Sequence, residues 1–288
     1  MPWNWVLITQ DTTLTFGDDD ALIVVQEWSV EPGKLRVEDR ERPRSDGLIF
    51  GQDLRSGQVV TFTMWVNGRN EDGAILGLSE LQRAWRNDSG RSVGGAMCML
   101  QHPRGRFVFG RPRGLVPNTR RVERGWATAS ADFECVDDLW YGPEEQTTIR
   151  FVPPVSGGLT FPAEAPFTFD SGPAVRNASV QVTGDVSTWP VFEIKGPVTN
   201  PEVDIVGVGK LIFSVDLAYD QTLRVDTRPW ARWVKRDGAA FPGALSSAGA
   251  RLSDVSLPPG TYQVLLRGYD PTGTAELRVS TWPAFTSF

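Results

Sequence analysis

The side chains able to carry chemistry in this chain are few and badly spaced for it. His102 is the only histidine, and Pro103 follows it. Any Ser-His-Asp or Cys-His site would have to use it. Cys98 lies four residues upstream, which on a strand puts the two on one face but far apart along it. No Gly-x-Ser-x-Gly elbow occurs, and His102 reads as a strand-end residue at a turn. One histidine with Cys98 and Cys135 cannot supply an ordinary zinc ligand set, and the cysteines lack Cys-x-x-Cys spacing. Nothing marks a secreted chain, so both thiols read as free rather than paired.

The carboxylates are no better placed. Asp18-Asp19-Asp20, Asp137-Asp138 and Glu144-Glu145 are sequence neighbours. Adjacent strand residues point to opposite faces, so none is a preformed acid/base pair. The aspartate triplet lacks the spacing of a calcium-binding loop and reads as the polar tip between Leu14–Phe16 and Ala21–Val25. Gly207-Val208-Gly209-Lys210 is too short for a phosphate loop and has no Ser or Thr after the lysine. It reads as a hairpin turn before Leu211. No cofactor, nucleotide or metal is expected, and the chain reads as a non-enzyme.

One stretch stands out by charge. Residues 104–124 hold Arg104, Arg106, Arg111, Arg113, Arg120, Arg121 and Arg124 against a single acid, Glu123. Phe107, Val108 and Phe109 sit inside the run. It reads as a hairpin with a long polar loop. Three uses are open: a solvated loop, a docking arm for an acidic neighbouring subunit, or a contact to DNA phosphates. The chain carries a net charge of −6 over 288 residues. Sequence-specific nucleic-acid binding is therefore not expected.

These residues must be positioned mainly by strands. Phe62, Met64 and Val66 alternate with Thr61, Thr63 and Trp65. Ala127, Ala129, Ala131, Phe133 and Cys135 alternate with Thr128, Ser130, Asp132 and Glu134, which predicts a long half-buried strand. Its small inner residues predict close approach by another layer. One helix is predicted between Gly73 and Gly90, from Ile75, Leu78, Leu81 and Trp85, with residues 79–87 as its shortest extent. Leu211, Phe213, Val215 and Leu217 face one way and Ile212, Ser214 and Asp216 the other. The segment Ile194-Lys195-Gly196-Pro197-Val198-Thr199-Asn200-Pro201 must be a tight connection, because proline has no backbone donor and glycine permits positive φ.

Hydrophobic residues make up 40 % and charged residues 22 % of the chain, so a packed core is expected. Its length fits about two domains. The predicted fold is mainly β: an N-terminal antiparallel domain with one packed helix at 1–142, a linker and first strands at 143–175, and a C-terminal β-sandwich at 176–288. Residues 153–173 are dense in proline and glycine, which excludes a helix there. No apolar run is long enough to span a membrane, and the N-terminus lacks the pattern of a signal peptide.

The order of signals in the second half resembles the C-terminal domain of siphophage distal tail proteins. The elements that carry it are Trp189–Ile194, Gly196-Pro197 with Asn200-Pro201, Leu211–Leu217, Leu223–Thr227, Pro258-Pro259-Gly260, Tyr262–Arg267 and Ala275–Ser280. The first half is similar to that family's ring-forming domain, with early strands, one helix and a long strand closing on Asp137-Asp138-Leu139-Trp140-Tyr141-Gly142. The resemblance implies a sandwich of galectin or carbohydrate-module jelly-roll type. It also implies a structural virion protein, built in the host cytoplasm, that forms a hexameric ring at the tail tip. The implied partners are further copies of the chain, the tail tube protein, the tail-tip hub protein and the tape measure protein. The ring leaves a channel for DNA, and no catalytic residue is implied. Within it, Arg104–Arg124 is the candidate docking segment. The alternative is a glycan-binding sandwich. Trp189, Trp230, Trp233 and Trp282 are its candidate stacking platforms, with Trp230 and Trp233 foremost because a turn after Pro229 would expose a ring.

Overall fold

Period-two alternation dominates both halves of the sequence, and both halves fold as antiparallel sheet. The computed structural model describes residues 3–18, 20–150, 176–270 and 272–288. The chain forms two units, Met1–Gly142 with Phe285–Phe288, and Pro143–Ala284. Most of the predicted linker, 151–175, lies outside the described residues.

In the first unit the strands are β1 (Trp5–Ile8), β2 (Thr13–Phe16), β3 (Ile23–Glu31), β4 (Leu35–Arg36), β5 (Arg40–Glu41), β6 (Leu48–Ile49), β7 (Leu54–Arg55) and β8 (Val59–Asn67). Helices α1 (Glu71–Arg86) and α2 (Asp88–Ser92) follow, then β9 (Cys98–Gln101), β10 (Phe107–Asn118), β11 (Trp126–Cys135) and β12 (Trp140–Tyr141). The main sheet runs β2-β1-β9-β10-β11-β8-β3. Gly17 links its ends: its N–H donates to Ile23 and its carbonyl accepts from Val25. Gly17 has φ +132°, and a Cβ there would strike the Trp3 carbonyl, so the closure needs glycine. Trp5, Phe16, Phe62, Met64 and Phe133 fill the interior.

The predicted helix is real and longer than its shortest expected extent. Asn70 caps it, its side chain accepting the Gly73 N–H at 2.8 Å. Glu71 and Asp72 in the first turn and Arg83 and Arg86 in the last complement the helix dipole. The buried face is Ala74, Gly77, Leu78, Leu81, Ala84 and Trp85. Ile75, expected on that face, is instead 48 % exposed. The stripe shifts by one residue because Gly77 and Ala74 let the backbone approach β8. A Cβ at Gly77 would meet Val66 and Leu22. The alanines of β11 accept this approach, as their size predicts.

The second unit holds β13 (Glu145–Arg150), β14 (Arg176–Val182), β15 (Val191–Lys195), β16 (Val198–Ile205), β17 (Gly209–Ile212), β18 (Asp216–Leu217), β19 (Thr222–Asp226), β20 (Trp233–Arg236), β21 (Ala239–Ala240), β22 (Gly260–Tyr269) and β23 (Glu276–Thr281). One sheet runs β13-β23-β15-β19-β20-β21 and the other β14-β22-β16-β17, with β18 on β16. Phe192, Ile194, Val203, Phe213, Leu223, Val264 and Leu277 share one core, the filling of a β-sandwich. Leu211, Phe213, Val215 and Leu217 are all buried, as their alternation requires. Gly196-Pro197 is a cis peptide between β15 and β16. Gly207, at φ +86°, turns β16 into β17.

Candidate assembly interface

His102, Cys98 and Cys135 are all buried. His102 is 1 % exposed. Its ring lies 4.7 Å from Trp5, 4.8 Å from Phe288, 5.2 Å from Trp28, 5.5 Å from Trp3 and 5.8 Å from Trp140. Nδ1 accepts the Arg104 N–H at 3.1 Å. Burial, with help from the Arg104 charge, lowers its pKa to about 4. The imidazole is thus a packed, neutral ring at the β9–β10 turn. Burial raises the Cys98 thiol to about 11, and its contacts are Asn87 Nδ2 at 3.0 Å and Gln10 Oε1 at 3.6 Å. Cys135 is likewise raised by burial and by Asp137 and Glu134. Both cysteines are free and buried. Burial also raises Asp137, to about 6, against the opposing hydrogen bonds from the Tyr141 hydroxyl and the Leu139 N–H. Among the described residues no cluster of three or more His, Cys, Asp or Glu could hold a metal, and no helix is long and apolar enough to cross a membrane.

The arginine stretch does not form a long polar loop. It is one 12-residue strand, β10, between two short turns, because Val108, Gly110 and Pro112 alternate inward and the strand pairs on both sides. Most of its guanidinium groups are engaged close by. Arg106 donates to the Ser287 carbonyl and lies 3.5 Å from the Phe285 ring centroid. Arg111 donates from Nε to Ala96 O at 2.7 Å and from Nη2 to Val93 O at 2.8 Å. Arg113 pairs with Glu134 at 2.7 Å, and Arg121 stacks 4.6 Å from the Trp126 ring. Arg104, Arg120 and Arg124 are exposed in the turns and make no ion pair among the described residues. Arg111 and Arg113 also join Arg86 and Arg91 around an open cleft of about 600 Å³, floored by Trp85 and Pro112.

The candidate glycan platforms separate. The Trp233 ring lies 4.4 Å from Lys235 and 5.9 Å from Arg224. Trp230 instead sits with Trp189 at 6.4 Å and Arg228 at 5.8 Å.

The feature that sequence reasoning missed is the excursion between β3 and β8. Every residue from Lys34 to Arg55 is exposed. Two short ladders hold it: Leu35 and Arg36 opposite Arg55 and Leu54, then Arg40 and Glu41 opposite Ile49 and Leu48. Asp39 accepts the Gly51 N–H at 3.0 Å, and Ser56 N–H donates to Lys34 O at 3.0 Å across the base. Gly33 allows the legs to close, since a Cβ on it would strike the Ser56 carbonyl, and Gly57 lets the returning leg pass the Cys135 carbonyl of β11. Six large apolar side chains are exposed on this arm: Leu35, Val37, Leu48, Ile49, Leu54 and Phe50, the last 82 % exposed. A two-stranded ribbon with no core is marginal alone and leaves strand edges open. The sequence signal was a run of apolar and charged residues framed by Gly33 and Gly57.

The molecule is thus a two-unit antiparallel β protein: a barrel-like sheet with a packed helix and an exposed arm, then a sandwich. That fold, at this size, occurs in solved phage tail structures. The chain is similar to SPP1 Dit, described as a paradigm of the hub adsorption apparatus in Gram-positive-infecting phages, with TM-score 0.60 and 14 % identity over 98 % of this chain and 99 % of that one. It is also similar to a chain of the phage p2 baseplate in its activated conformation, in the strontium form (TM-score 0.57) and the calcium form (TM-score 0.55), each at 11 % identity over 96 % of this chain and 97 % of the other. No protein-family pattern and no curated protein sequence matches the chain.

Proposed function

We propose that this chain is a distal tail protein: a structural, non-catalytic virion subunit that forms a hexameric ring at the tip of a long-tailed phage. In this reading the ring is built in the host cytoplasm, joins the tail tube protein to the tip or baseplate hub, lies near the tape measure protein and leaves a channel for DNA. The observation that carries the reading is the likeness to SPP1 Dit along nearly the whole of both chains. A shared fold alone does not fix function, so the arm supplies independent support.

A closed ring needs a heterologous contact, one patch meeting a different patch on the next copy. The arm is suited to be the first patch. None of its six apolar side chains is buried within its own unit. Covering them would contribute roughly 1.5–3 kcal/mol per fully buried side chain. Arg104, Arg120 and Arg124, the uncommitted members of the arginine stretch, are the candidates for a polar rim around the second patch or for docking on the tube.

Negative-stain imaging of the purified chain tests the proposal. Closed rings of uniform size are expected. Open filaments or single particles at every concentration, in the presence of tail tubes as well as without them, would contradict it.

A further inference from the structure

The β19–β20 hairpin is basic inside an acidic chain. Residues 222–240 hold Arg224, Arg228, Arg232, Lys235 and Arg236 against Asp226 and Asp237, while the whole chain carries −6. Both acids are already engaged. Asp226 is fully buried and takes Arg228 on both oxygens, with Nη2 to Oδ2 at 2.6 Å and Nε to Oδ1 at 3.0 Å. Asp237 accepts the Thr222 N–H at 2.8 Å.

The register places Arg224 directly opposite Lys235, and Asp226 opposite Trp233. Opposed residues, and residues two apart on a strand, share a face, so these four side chains lie together. Like charges directly opposite one another destabilise a sheet. Across β15, Glu193 stands opposite Arg224 but is paired with Arg278 at 3.5 Å. Among the described residues neither Arg224 nor Lys235 makes an ion pair, and they lie 5.9 and 4.4 Å from the Trp233 ring. Next on the face, Arg228 lies 4.9 Å from the Trp282 ring and 5.8 Å from Trp230. Only the two-residue β21 separates this hairpin from the sheet edge. The result is a strip in which cations and indoles lie together, and its Arg224–Lys235 pair breaks the rule against like charges directly opposed. Such violations belong at functional positions.

We propose that this strip binds an anionic polysaccharide. The apolar C–H face of a sugar ring stacks on Trp233 or Trp230, and a carboxylate or phosphate on the sugar sits between Arg224 and Lys235. The anion offsets the repulsion between the opposed Arg224 and Lys235. Nucleic acid fits less well, because the chain is acidic overall. The strip lies within the second unit, so its occupancy stands or falls independently of ring formation.

Calorimetry and tryptophan emission of the full chain, titrated with oligogalacturonate and with phosphorylated dextran, test this. Neutral dextran, polyglutamate and a thymidine oligonucleotide serve as comparisons. Saturable binding to at least one anionic glycan is expected, weakening as salt rises, with none to neutral dextran. Arg224→Gln with Lys235→Gln should lower that affinity at least about tenfold and leave thermal stability nearly unchanged, since the like-charge contact with Lys235 and the attraction to Glu193 are lost together. Trp233→Ala should lower it similarly; if that variant fails to fold, the double cation variant still decides. Absence of binding to both anionic glycans overturns the proposal. So does equal or tighter binding of polyglutamate or the oligonucleotide, or full affinity in the double variant.

Discussion

Two charge-rich stretches of the first unit are used in opposite ways. The strand Phe107–Asn118 and its flanking turns advertise seven arginines in sequence, yet Arg106, Arg111, Arg113 and Arg121 meet partners in their own unit. The arm from Lys34 to Arg55 mixes both signs of charge and was unremarkable in sequence, yet nothing in it is buried. A run of one charge shows where guanidinium groups are, but not whether each is already satisfied. Free surface is better read from apolar side chains that the fold leaves uncovered.

That contrast breaks most visibly through the arm. Ile49→Ser with Phe50→Ser should leave the melting temperature of the first unit nearly unchanged, because neither side chain is buried there. The same pair should weaken self-association by roughly 3 kcal/mol, about a hundredfold. Sedimentation across a concentration series measures the second quantity and thermal unfolding the first. Equal losses in both would mean that the arm belongs to the fold.

The arginine strand should answer the other way. Arg111→Ala removes two charge-assisted hydrogen bonds to Ala96 and Val93. It should destabilise the unit by about 2–4 kcal/mol in denaturant titrations. Assembly at a temperature where the variant remains folded should be normal. A stable variant that fails to assemble would return Arg111 to the interface.

Titration reads the barrel side alone. His102 has a folded pKa of about 4 against an ordinary 6.5, so its contribution is complete above pH 6.5 and is lost as pH falls through 4. Asp137, at about 6 against 3.8, has the opposite sign: stability from this group is greatest below 3.8 and declines as pH rises through 6. Tryptophan emission from the cage around His102 should therefore change with a midpoint near 4. Asp137→Asn should gain stability relative to the parent at neutral pH and lose that advantage on acidification. A tryptophan midpoint near 6.5 would mean that the imidazole is solvated. The smallest effect belongs to Arg113→Ala, whose exposed pair with Glu134 is worth at most about 1 kcal/mol in double-mutant cycles.

Much of the scaffold could be read from local pattern. Ala127 to Cys135 alternates as a strand must, and Leu211 to Leu217 turns its apolar side inward. Both features are properties of a period of two. Ile75 was misplaced because a periodic stripe fixes a helix face only to within a residue; glycine and alanine, which score weakly as apolar, set the true contact at Gly77 and Ala74. The arm escaped notice for a similar reason. Its strands are two residues each, too short to show a period, and Leu48-Ile49-Phe50 resembles a core segment until the fold leaves it bare. The two tryptophans of the β19–β20 hairpin were visible as types, but their separate cationic neighbours depend on register, which sequence alone does not fix.

The most direct test of the arm's role is a pair of solution masses, by light scattering after size exclusion. One sample is the full chain. The other has residues 34–55 replaced by a short Gly-Ser turn between Gly33 and Gly57. The ring reading predicts that the full chain runs as a hexameric assembly and that the shortened chain is a folded monomer with an unchanged melting temperature. A shortened chain that still forms the same assembly would contradict it.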